Sequence, residues 1–330
     1  MMIHRELKRF AQEDRSLTWR LLGGSCTAAA ICAVVVVVAH RWWVVVAAAI
    51  AFGLVRIRLA MFFHDYMHKA IFKGSRLGGL IMHVIGVWTL TSPSLWLEWH
   101  QEHHWHTGKA DATAVFGGFP MMTLEAWRNA GSARRLRYRI ARHPLSIGLG
   151  YLTMFLFGMN IAPLVRKPGK RRTLLGVLAL HVGLLCFVAM SLGWLKAVCL
   201  VVLPLVVAHA VLAYMLFAQH CFPGIDLRDD EAWTYDHAAL RSSSYFHMSA
   251  LMHWVTGNLG YHHVHHLNQR VPFYRLPEAM AALPPLQNPV RTTWRSKDML
   301  ACLRLAVWDP SQARMLTYDE LRAGRDRRSL

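Results

Sequence analysis

Acidic residues and clustered cysteines are both scarce in this chain of 330 residues. Asp and Glu number 19 against 37 Lys and Arg, and the formal net charge is +18 at pH 7. The six cysteines are scattered, which predicts neither a disulfide framework nor a Cys-x-x-Cys metal site. The amino end stays charged and polar for about 20 residues before the first apolar run, so we expect no cleavable signal peptide. Four cysteines fall inside apolar runs: Cys26, Cys32, Cys186 and Cys199.

Two signatures of other functions are also missing. A His-Glu-x-x-His motif, which joins two zinc ligands to a carboxylate base in hydrolases, does not occur. No nucleic-acid motif accompanies the basic residues, which flank hydrophobic segments instead. We therefore expect no nucleic-acid partner. A metal-dependent membrane hydrolase or a metal carrier is the alternative from another functional class, although a carrier needs polar groups in the middle of its spans.

Apolar residues, by contrast, make up 54% of the chain, and the mean hydropathy is +0.25. Four stretches approach the roughly 20 residues that cross a bilayer. Two further apolar segments, 77–90 and 145–165, contain glycine or a flanking proline, and we interpret both as interfacial or re-entrant. The fold class predicted is an all-α membrane protein, a single domain over 1–330, with two transmembrane helical hairpins and a cytoplasmic helical cap at 218–330. The four predicted spans are about 21–39, 43–63, 173–192 and 194–217.

The distribution of Lys and Arg predicts the orientation. The turns inside the two hairpins hold only Arg41 and Lys196, so both termini and the cap should face the cytoplasm. In the tail, the amphipathic stretch 299–308 is expected to form a surface helix. The basic clusters on the cytoplasmic side are Arg5, Lys8, Arg9, Arg15 and Arg20, then Arg128, Arg134, Arg135, Arg137, Arg139 and Arg142, and then 166–172.

Three histidine clusters stand beside the apolar segments: HDYMH at 64–68, HQEHHWH at 100–106 and HHVHH at 262–266. Residues three or four apart share one face of a helix, so each cluster can present its histidines to one centre. A tetrahedral zinc needs about four ligands, so eight converging imidazoles predict a dinuclear site. Ligand type alone leaves zinc, copper, iron and nickel open. The eight candidate ligands are His64, His68, His100, His103, His104, His262, His265 and His266.

With these spacings, the chain resembles the membrane fatty acid desaturases, from about residue 50 to 280. The resemblance is most specific in TGNLGYHHVHHLNQRVPFYRLPE (256–278), FAQH (217–220) and AALRSSSYFH (238–247), and is closer to the bacterial acyl-lipid omega-6 (delta-12) type branch than to the acyl-CoA branch. It implies two iron ions held by histidines, O2 as co-substrate, and removal of two hydrogens from an acyl chain of a membrane lipid. It also implies a ninth ligand, His220, in the Gln219-His220 pair.

The surroundings of the ligands give further expectations. Metal-bound histidines donate their second N–H to a carboxylate or carbonyl, so we expect Asp65 to support His64, with Asn258 as a weaker candidate. His106 is interpreted as a supporting residue, and His263 as a packing residue. The first box departs from the usual His-Asp-x-Gly-His because Tyr66 and Met67 fill its middle. Single histidines inside apolar runs should pack rather than bind metal: His83, His181 and His209.

Electrons should come from a separate protein. No His-Pro-Gly-Gly haem signature occurs, because His143-Pro144 continues as Leu145-Ser146, so no fused cytochrome b5 is expected. The basic cytoplasmic face would suit docking of ferredoxin or a similar acidic carrier. A hydroxylase of the same di-iron family remains an alternative, since hydroxylation and desaturation share their first hydrogen abstraction.

Overall fold

The computed structural model describes residues 2–110 and 118–326, and this part of the chain is mostly helical. One π-helical segment spans Tyr151–Ile161, and a second spans Val198–Val202. Short 3-10 segments lie at Pro168–Lys170, Phe273–Arg275 and Pro284–Leu286. The α-helices are α1 (Met2–Leu7), α2 (Arg15–Val38), α3 (Trp42–Met67), α4 (Arg76–Trp88), α5 (Pro93–His106), α6 (Leu124–Asn129), α7 (Ser132–Ala141), α8 (Pro144–Gly148), α9 (Ala162–Arg166), α10 (Arg171–Leu192), α11 (Trp194–Ala197), α12 (Leu203–His220), α13 (Tyr235–Arg241), α14 (Ala250–Val255), α15 (His262–Leu267), α16 (Leu276–Ala282), α17 (Ser296–Arg304) and α18 (Tyr318–Asp326).

Four helices in the described residues are long and apolar enough to cross a membrane, and they coincide with the four apolar stretches predicted as spans. Their ends differ from the predicted ends by only a few residues, because polar caps and turns define them. The Asp14 side chain accepts a hydrogen bond from the Leu17 N–H at 2.8 Å and so caps the start of α2. Gly193, with φ of +84°, separates α10 from α11 in a conformation that favours glycine. The four helices are Arg15–Val38, Trp42–Met67, Pro168–Leu192 and Trp194–His220.

The two ambiguous apolar segments form shorter pieces. Helix α4 meets α5 at a bend of 83°, a geometry that fits a broken span or a re-entrant loop. Pro93 begins α5, and its ring fixes the backbone at the first helical turn. Residues Tyr151–Arg166 form an apolar helix too short to count as a span. The interfacial or re-entrant interpretation of both segments stays a prediction.

The cap is not entirely helical, and here the prediction was wrong. Two small sheets interrupt it: β1 (Tyr245–His247) pairs in parallel with β2 (Arg291–Thr293), and β3 (Leu305–Asp309) pairs antiparallel with β4 (Arg314–Thr317). The surface helix expected over 299–308 ends at Arg304, and the rest of that stretch is strand β3. All five residues of β3 are buried, so this run packs on both faces instead of lying on a surface.

Helix α3 occupies the centre of the fold, in contact with α2 on one side and α12 on the other. Its second half is almost entirely buried. Phe62 and Phe273 pack edge to face there, with ring centroids 4.9 Å apart, and connect the end of α3 to the cap. The outer surfaces of α2 and α10 instead expose large apolar side chains, as lipid-facing helices do. The end of α3, which carries the first histidine box, is thereby fixed against the cap.

Candidate metal centre

Nine histidines meet in the layer where α3 and α12 end. The end of α3 supplies the first box, α5 the second, α15 the third, and the last residue of α12 is His220. The rings are close: His64 and His265 have centroids 4.6 Å apart, and so do His103 and His220. The structure therefore brings together all nine of the predicted ligands: His64, His68, His100, His103, His104, His220, His262, His265 and His266.

Eight of these imidazoles form two groups of four. In each group one ring nitrogen per residue lies within 4.8 Å of the other three. His64 and His68 of the first box belong to the same group, whereas α5 and α15 each contribute ligands to both groups. The first quartet is His64, His68, His100 and His265, and the second quartet is His103, His220, His262 and His266.

His104 lies between the two quartets. Its Nε2 atom is 3.1 Å from Nε2 of His100 and 3.2 Å from Nε2 of His265, so it points at the first quartet. Its ring centroid is also 4.3 Å from that of His266 in the second quartet. His104 is thus placed to act as a further ligand of the first quartet or as the side chain that separates the two.

The facing nitrogen atoms fit metal ions. Nε2 atoms face one another at 2.8 Å between His220 and His262, and at 3.2 Å between His103 and His266. Ligand nitrogens that each lie about 2.0–2.1 Å from one ion, at angles of about 90–109°, are roughly 2.8–3.4 Å apart, which matches this spacing. The Nε2 atom of His68 is buried without a hydrogen-bond partner, as a nitrogen reserved for a metal would be.

Burial keeps the third-box histidines neutral. Desolvation is the main reason that the pKa of His262, of His265 and of His266 lies well below the ordinary value, and neighbouring histidines lower it further. A neutral imidazole is the form that binds a metal, so these ligands are ready at neutral pH without losing a proton. Among the described residues, neither quartet contains a carboxylate or a thiol.

Hydrogen bonds from behind orient several of the ligands. Nδ1 of His64 donates to the Asp65 carboxylate at 3.0 Å, and the other carboxylate oxygen accepts the Phe273 N–H at 2.6 Å. The contact with His64 is the one expected for Asp65. Nδ1 of His220 donates to the Ser242 carbonyl at 3.0 Å. These contacts leave Nε2 of each histidine directed into the site.

Sequence reasoning missed Gln269, whose side chain hydrogen-bonds His68. It follows α15 by two residues, where helical spacing no longer indicates which way a side chain points. Asn258, the weaker supporting candidate, does not reach an imidazole. Its amide donates to the Phe273 carbonyl at 3.0 Å and so acts on the same segment that holds Asp65.

Other histidines lie outside the quartets. Nδ1 of His106 is 2.9 Å from the Glu102 carbonyl on its own helix, so the structure does not place it behind a ligand. Nε2 of His263 donates to the Leu286 carbonyl at 3.1 Å, in agreement with a packing role. His83, His181 and His209 also lie apart from the quartets, as expected.

An apolar cavity of about 120 Å³ opens beside the metal ligands. His64, His100 and His262 line it, so it touches both quartets. Met61 and Phe63 of α3 and three leucines form most of its apolar wall. Trp96 stacks on His100, with ring centroids 4.4 Å apart, and closes one side. The cavity suits an apolar substrate that reaches the site from the layer of long helices.

These features define a chain with four helices long and apolar enough to cross a membrane and, among the described residues, two buried groups of four histidines that could each hold a metal ion. The family model described as "Fatty acid desaturase" matches residues 41–297. The chain belongs to the fatty acid desaturase family, and it is an oxidoreductase of that family. The resemblance inferred from the histidine boxes is confirmed.

Three relatives illustrate the family. A fatty acid desaturase of Bacillus subtilis (strain 168) is 31% identical over 79% of this chain and 74% of its own length. The Delta(12) acyl-lipid conjugase (11E,13E-forming) of Impatiens balsamina is 24% identical over 71% of this chain and 64% of its own. An sn-1 acyl-lipid omega-3 desaturase (ferredoxin) of Nostoc sp. (strain 36) is 25% identical over 68% of this chain and 63% of its own.

Proposed function

We propose that this protein is an O2-dependent di-iron desaturase that introduces a cis double bond into an acyl chain of a membrane lipid. The observation that carries the proposal is the contact of one apolar cavity with both histidine quartets. An acyl chain in the cavity would lie beside both candidate ion sites while remaining shielded from water.

Two iron ions per chain fit the two quartets. Imidazole ligands suit iron as well as zinc and copper, and family membership selects iron. When bound, the irons supply O2 activation. The net reaction combines the acyl chain, O2, two electrons and two protons, and yields the alkene and two waters. The quartets hold the ions, Asp65 and Gln269 orient their ligands, and the apolar wall excludes bulk water.

The substrate is an acyl lipid rather than a water-soluble compound. The cavity is lined mainly by Met, Phe and Leu side chains, and the long apolar helices surround it. A chain that moves there from the bilayer avoids exposing its methylenes to water, at about 0.8 kcal/mol each. The names of the relatives from Impatiens and Nostoc refer to acyl-lipid substrates, which supports the same class here.

The four long helices form two hairpins with both termini, the cap and the active site on the cytoplasmic side of a bacterial-type inner membrane. The Lys196 ammonium donates to the Val37 carbonyl, so the turn after α10 contacts the end of α2, as two hairpins with the same orientation would allow. The basic clusters lie away from those two turns, which agrees with the positive-inside rule.

Electrons come from an external carrier such as ferredoxin. The Nostoc relative carries ferredoxin in its name, and the net charge of +18 favours an acidic partner on the basic face. An acidic carrier would associate faster at low salt, because exposed charges steer the encounter.

Expression in a bacterial host that lacks desaturases tests the proposal. Membrane lipids from aerobic cells that also supply a ferredoxin system should gain unsaturated acyl chains, identified by mass spectrometry. The variants His104→Ala and His265→Ala should produce none. His106→Ala is a matched control, because His106 bonds only within α5 among the contacts described for it.

The products also separate the alternatives. Hydroxylated chains in place of alkenes would reassign the protein to the hydroxylase of the same family. Hydrolysed lipids without unsaturation would favour a metal-dependent hydrolase, which the absence of a carboxylate in the described quartets argues against. Unchanged lipids with a competent electron donor would contradict both oxidative assignments.

A further inference from the structure

The segment 88–91, which comprises the last residue of α4 and the first residues of the turn to α5 and is called the loop below, breaks a helix beside the long apolar helices. Side chains from other helices bind its carbonyls. Arg56 of α3 donates from Nη2 to the Trp88 carbonyl at 2.6 Å, and Nε2 of His181 in α10 lies 3.2 Å from the same oxygen. The Trp88 ring covers the Arg56 guanidinium at 3.9 Å. Arg56 therefore holds the loop through Nη2 and the Val201 carbonyl through Nη1 at 3.3 Å, and it does not line the apolar cavity.

Two more polar side chains hold the next carbonyls. Asn160, fully buried, donates from Nδ2 to the Leu90 carbonyl at 3.0 Å. The imidazole of His209 in α12 binds the Thr89 carbonyl. Backbone groups left unpaired in an apolar layer carry a heavy free-energy penalty, so a broken helix persists there only when partners are provided. Four partners from four elements, one of them an arginine, indicate that the break itself serves the site.

The held loop lies at one end of the apolar cavity. Along α12 the cavity is lined by His209, Leu212, Leu216 and Gln219, which share one face of the helix. Gln219 adjoins the ligand His220, whereas His209 lies ten residues earlier, roughly 15 Å deeper along the helix axis. Thr89 and Thr91 of the loop also line the cavity. The cavity thus runs from the metal ligands down to the loop.

Below His209 the space is closed. The Phe155 ring stacks on the His209 imidazole with centroids 3.8 Å apart and planes 3° from parallel. One turn further down, α3 and α12 are in direct contact: a Cβ atom on Gly53 would lie 2.7 Å from the Val207 Cβ and 2.9 Å from the Pro204 carbonyl oxygen. No room remains there for a chain to pass between α3 and α12.

The closed end presents a mostly apolar surface, in which the His209 imidazole is covered on one face by the Phe155 ring. The Thr89 hydroxyl donates back to the Ile85 carbonyl at 3.0 Å, and the Thr91 hydroxyl donates to the Thr89 carbonyl at 3.3 Å. With these hydroxyls engaged, the threonine methyl groups, the Phe155 ring and the His209 imidazole, whose buried Nδ1 has no hydrogen-bond partner in the described residues, remain to meet an occupant. A methyl terminus suits such a surface, whereas a carboxylate or a phosphate would be left unpaired.

We propose that the loop 88–91, His209 and Phe155 form a floor that stops the methyl end of the acyl chain and thereby fixes the double-bond position counted from that end. This inference rests on the proposed desaturase function. Arg56, Asn160 and His181 are positioning residues that hold the floor, and Phe155 is the side chain that sets its depth.

A chain-length series with the wild-type protein tests the floor directly. The expressing host is fed acids of the accepted class that differ by one carbon in length, and double bonds are located by mass spectrometry of dimethyl disulfide adducts. The distance from the new double bond to the methyl end should stay constant while the distance to the carboxyl end changes. A constant distance to the carboxyl end would overturn the proposal.

Two opposed variants sharpen the result. Phe155→Ala deepens the floor and should move the double bond about two to four carbons farther from the methyl end, since a removed ring leaves a cavity that relaxes only partially. Leu212→Phe, one turn above the floor, should move it the other way or select shorter chains. Phe187→Ala is the control, because Phe187 is 63% exposed on α10.

The outcomes separate this inference from the function it rests on. Desaturation by both variants at the wild-type position would refute the floor but leave the desaturase assignment intact. A wild type that forms no double bond would refute the desaturase assignment and the floor with it. If the Phe155→Ala protein does not accumulate in the cells, the chain-length series and the Leu212→Phe variant still test the floor.

Discussion

The two histidine quartets differ in how the rest of the chain supports them. In the first quartet, His64 is held by the Asp65 carboxylate and His68 by the Gln269 side chain. In the second quartet, His220 is held by a backbone carbonyl, that of Ser242, and the buried Nδ1 of His262 has no hydrogen-bond partner in the described residues. Side chains support the first quartet, whereas the backbone provides the support seen for the second.

The difference indicates which substitutions should weaken metal binding at one candidate site more than at the other. The Asp65 side chain binds both His64 and the Phe273 N–H and so fixes the His64 ring, and the first quartet should therefore hold its ion more firmly. Because α5 and α15 supply ligands to both quartets, damage to one is expected to disturb the other in part. The following predictions run from the largest expected effect to the smallest.

Removal of one ligand should break the quartet to which that ligand belongs. His265→Ala in the first quartet and His262→Ala in the second should each abolish desaturation and lower the iron content by about half, since an ion needs about four ligands. Iron is measured by elemental analysis of the purified protein. His106→Ala should keep full iron, and a ligand variant that also kept full iron would contradict its assignment.

The loss of His220 tests the ligand that lies outside the three boxes. His220→Ala should remove mainly the ion of the second quartet, which leaves about half of the iron and less than about a tenth of the turnover. Spectroscopy of the remaining iron should then report an isolated ion. Full iron and full turnover would make His220 an interfacial histidine that only bonds the Ser242 carbonyl.

The carboxylate behind the first quartet should matter less than a ligand. Asp65→Asn keeps the shape and the bond to the Phe273 N–H but weakens the hold on His64, so iron affinity should fall about 10- to 100-fold. Chelator competition measures that affinity independently of turnover. Asn258→Ala, one contact further out, should have a smaller effect, and the reverse order would count against the role of Asp65.

Gln269 should give the smallest effect. Gln269→Ala removes one neutral hydrogen bond to His68, worth about 0.5–1.5 kcal/mol, so iron affinity should fall only a few-fold. The control is Gln287→Ala, whose amide donates to the Ala281 carbonyl on the surface. Equal affinities for the two variants would show that Gln269 does not support the first quartet.

The spans and the boxes could be predicted because their signals are contiguous. A run of about 20 apolar residues or a His-x-x-His-His motif is read within one helix. The division of the box histidines between the two quartets could not be predicted, because it depends on how α5 crosses α15. Neighbours such as His103 and His104 point to different quartets. Gln269 follows the end of α15, where helical periodicity does not indicate which way a side chain points.

The cap and the cavity floor also have features that the sequence alone does not predict. The stretch 299–308 has helical periodicity, but burial by tertiary packing turns its second half into β3. His209 was expected to pack inside its helix and does so, yet its stacking on Phe155 joins residues 54 positions apart in sequence. Contacts of that kind follow from three-dimensional packing, which no local pattern encodes.

Metal analysis of the purified, active protein tests the central claim most directly. Two quartets that each hold one ion predict two irons per chain, with a Mössbauer spectrum in which the two irons are equal in amount. A fully active protein with a single metal ion per chain, or with zinc as the ion that activity requires, would contradict the account.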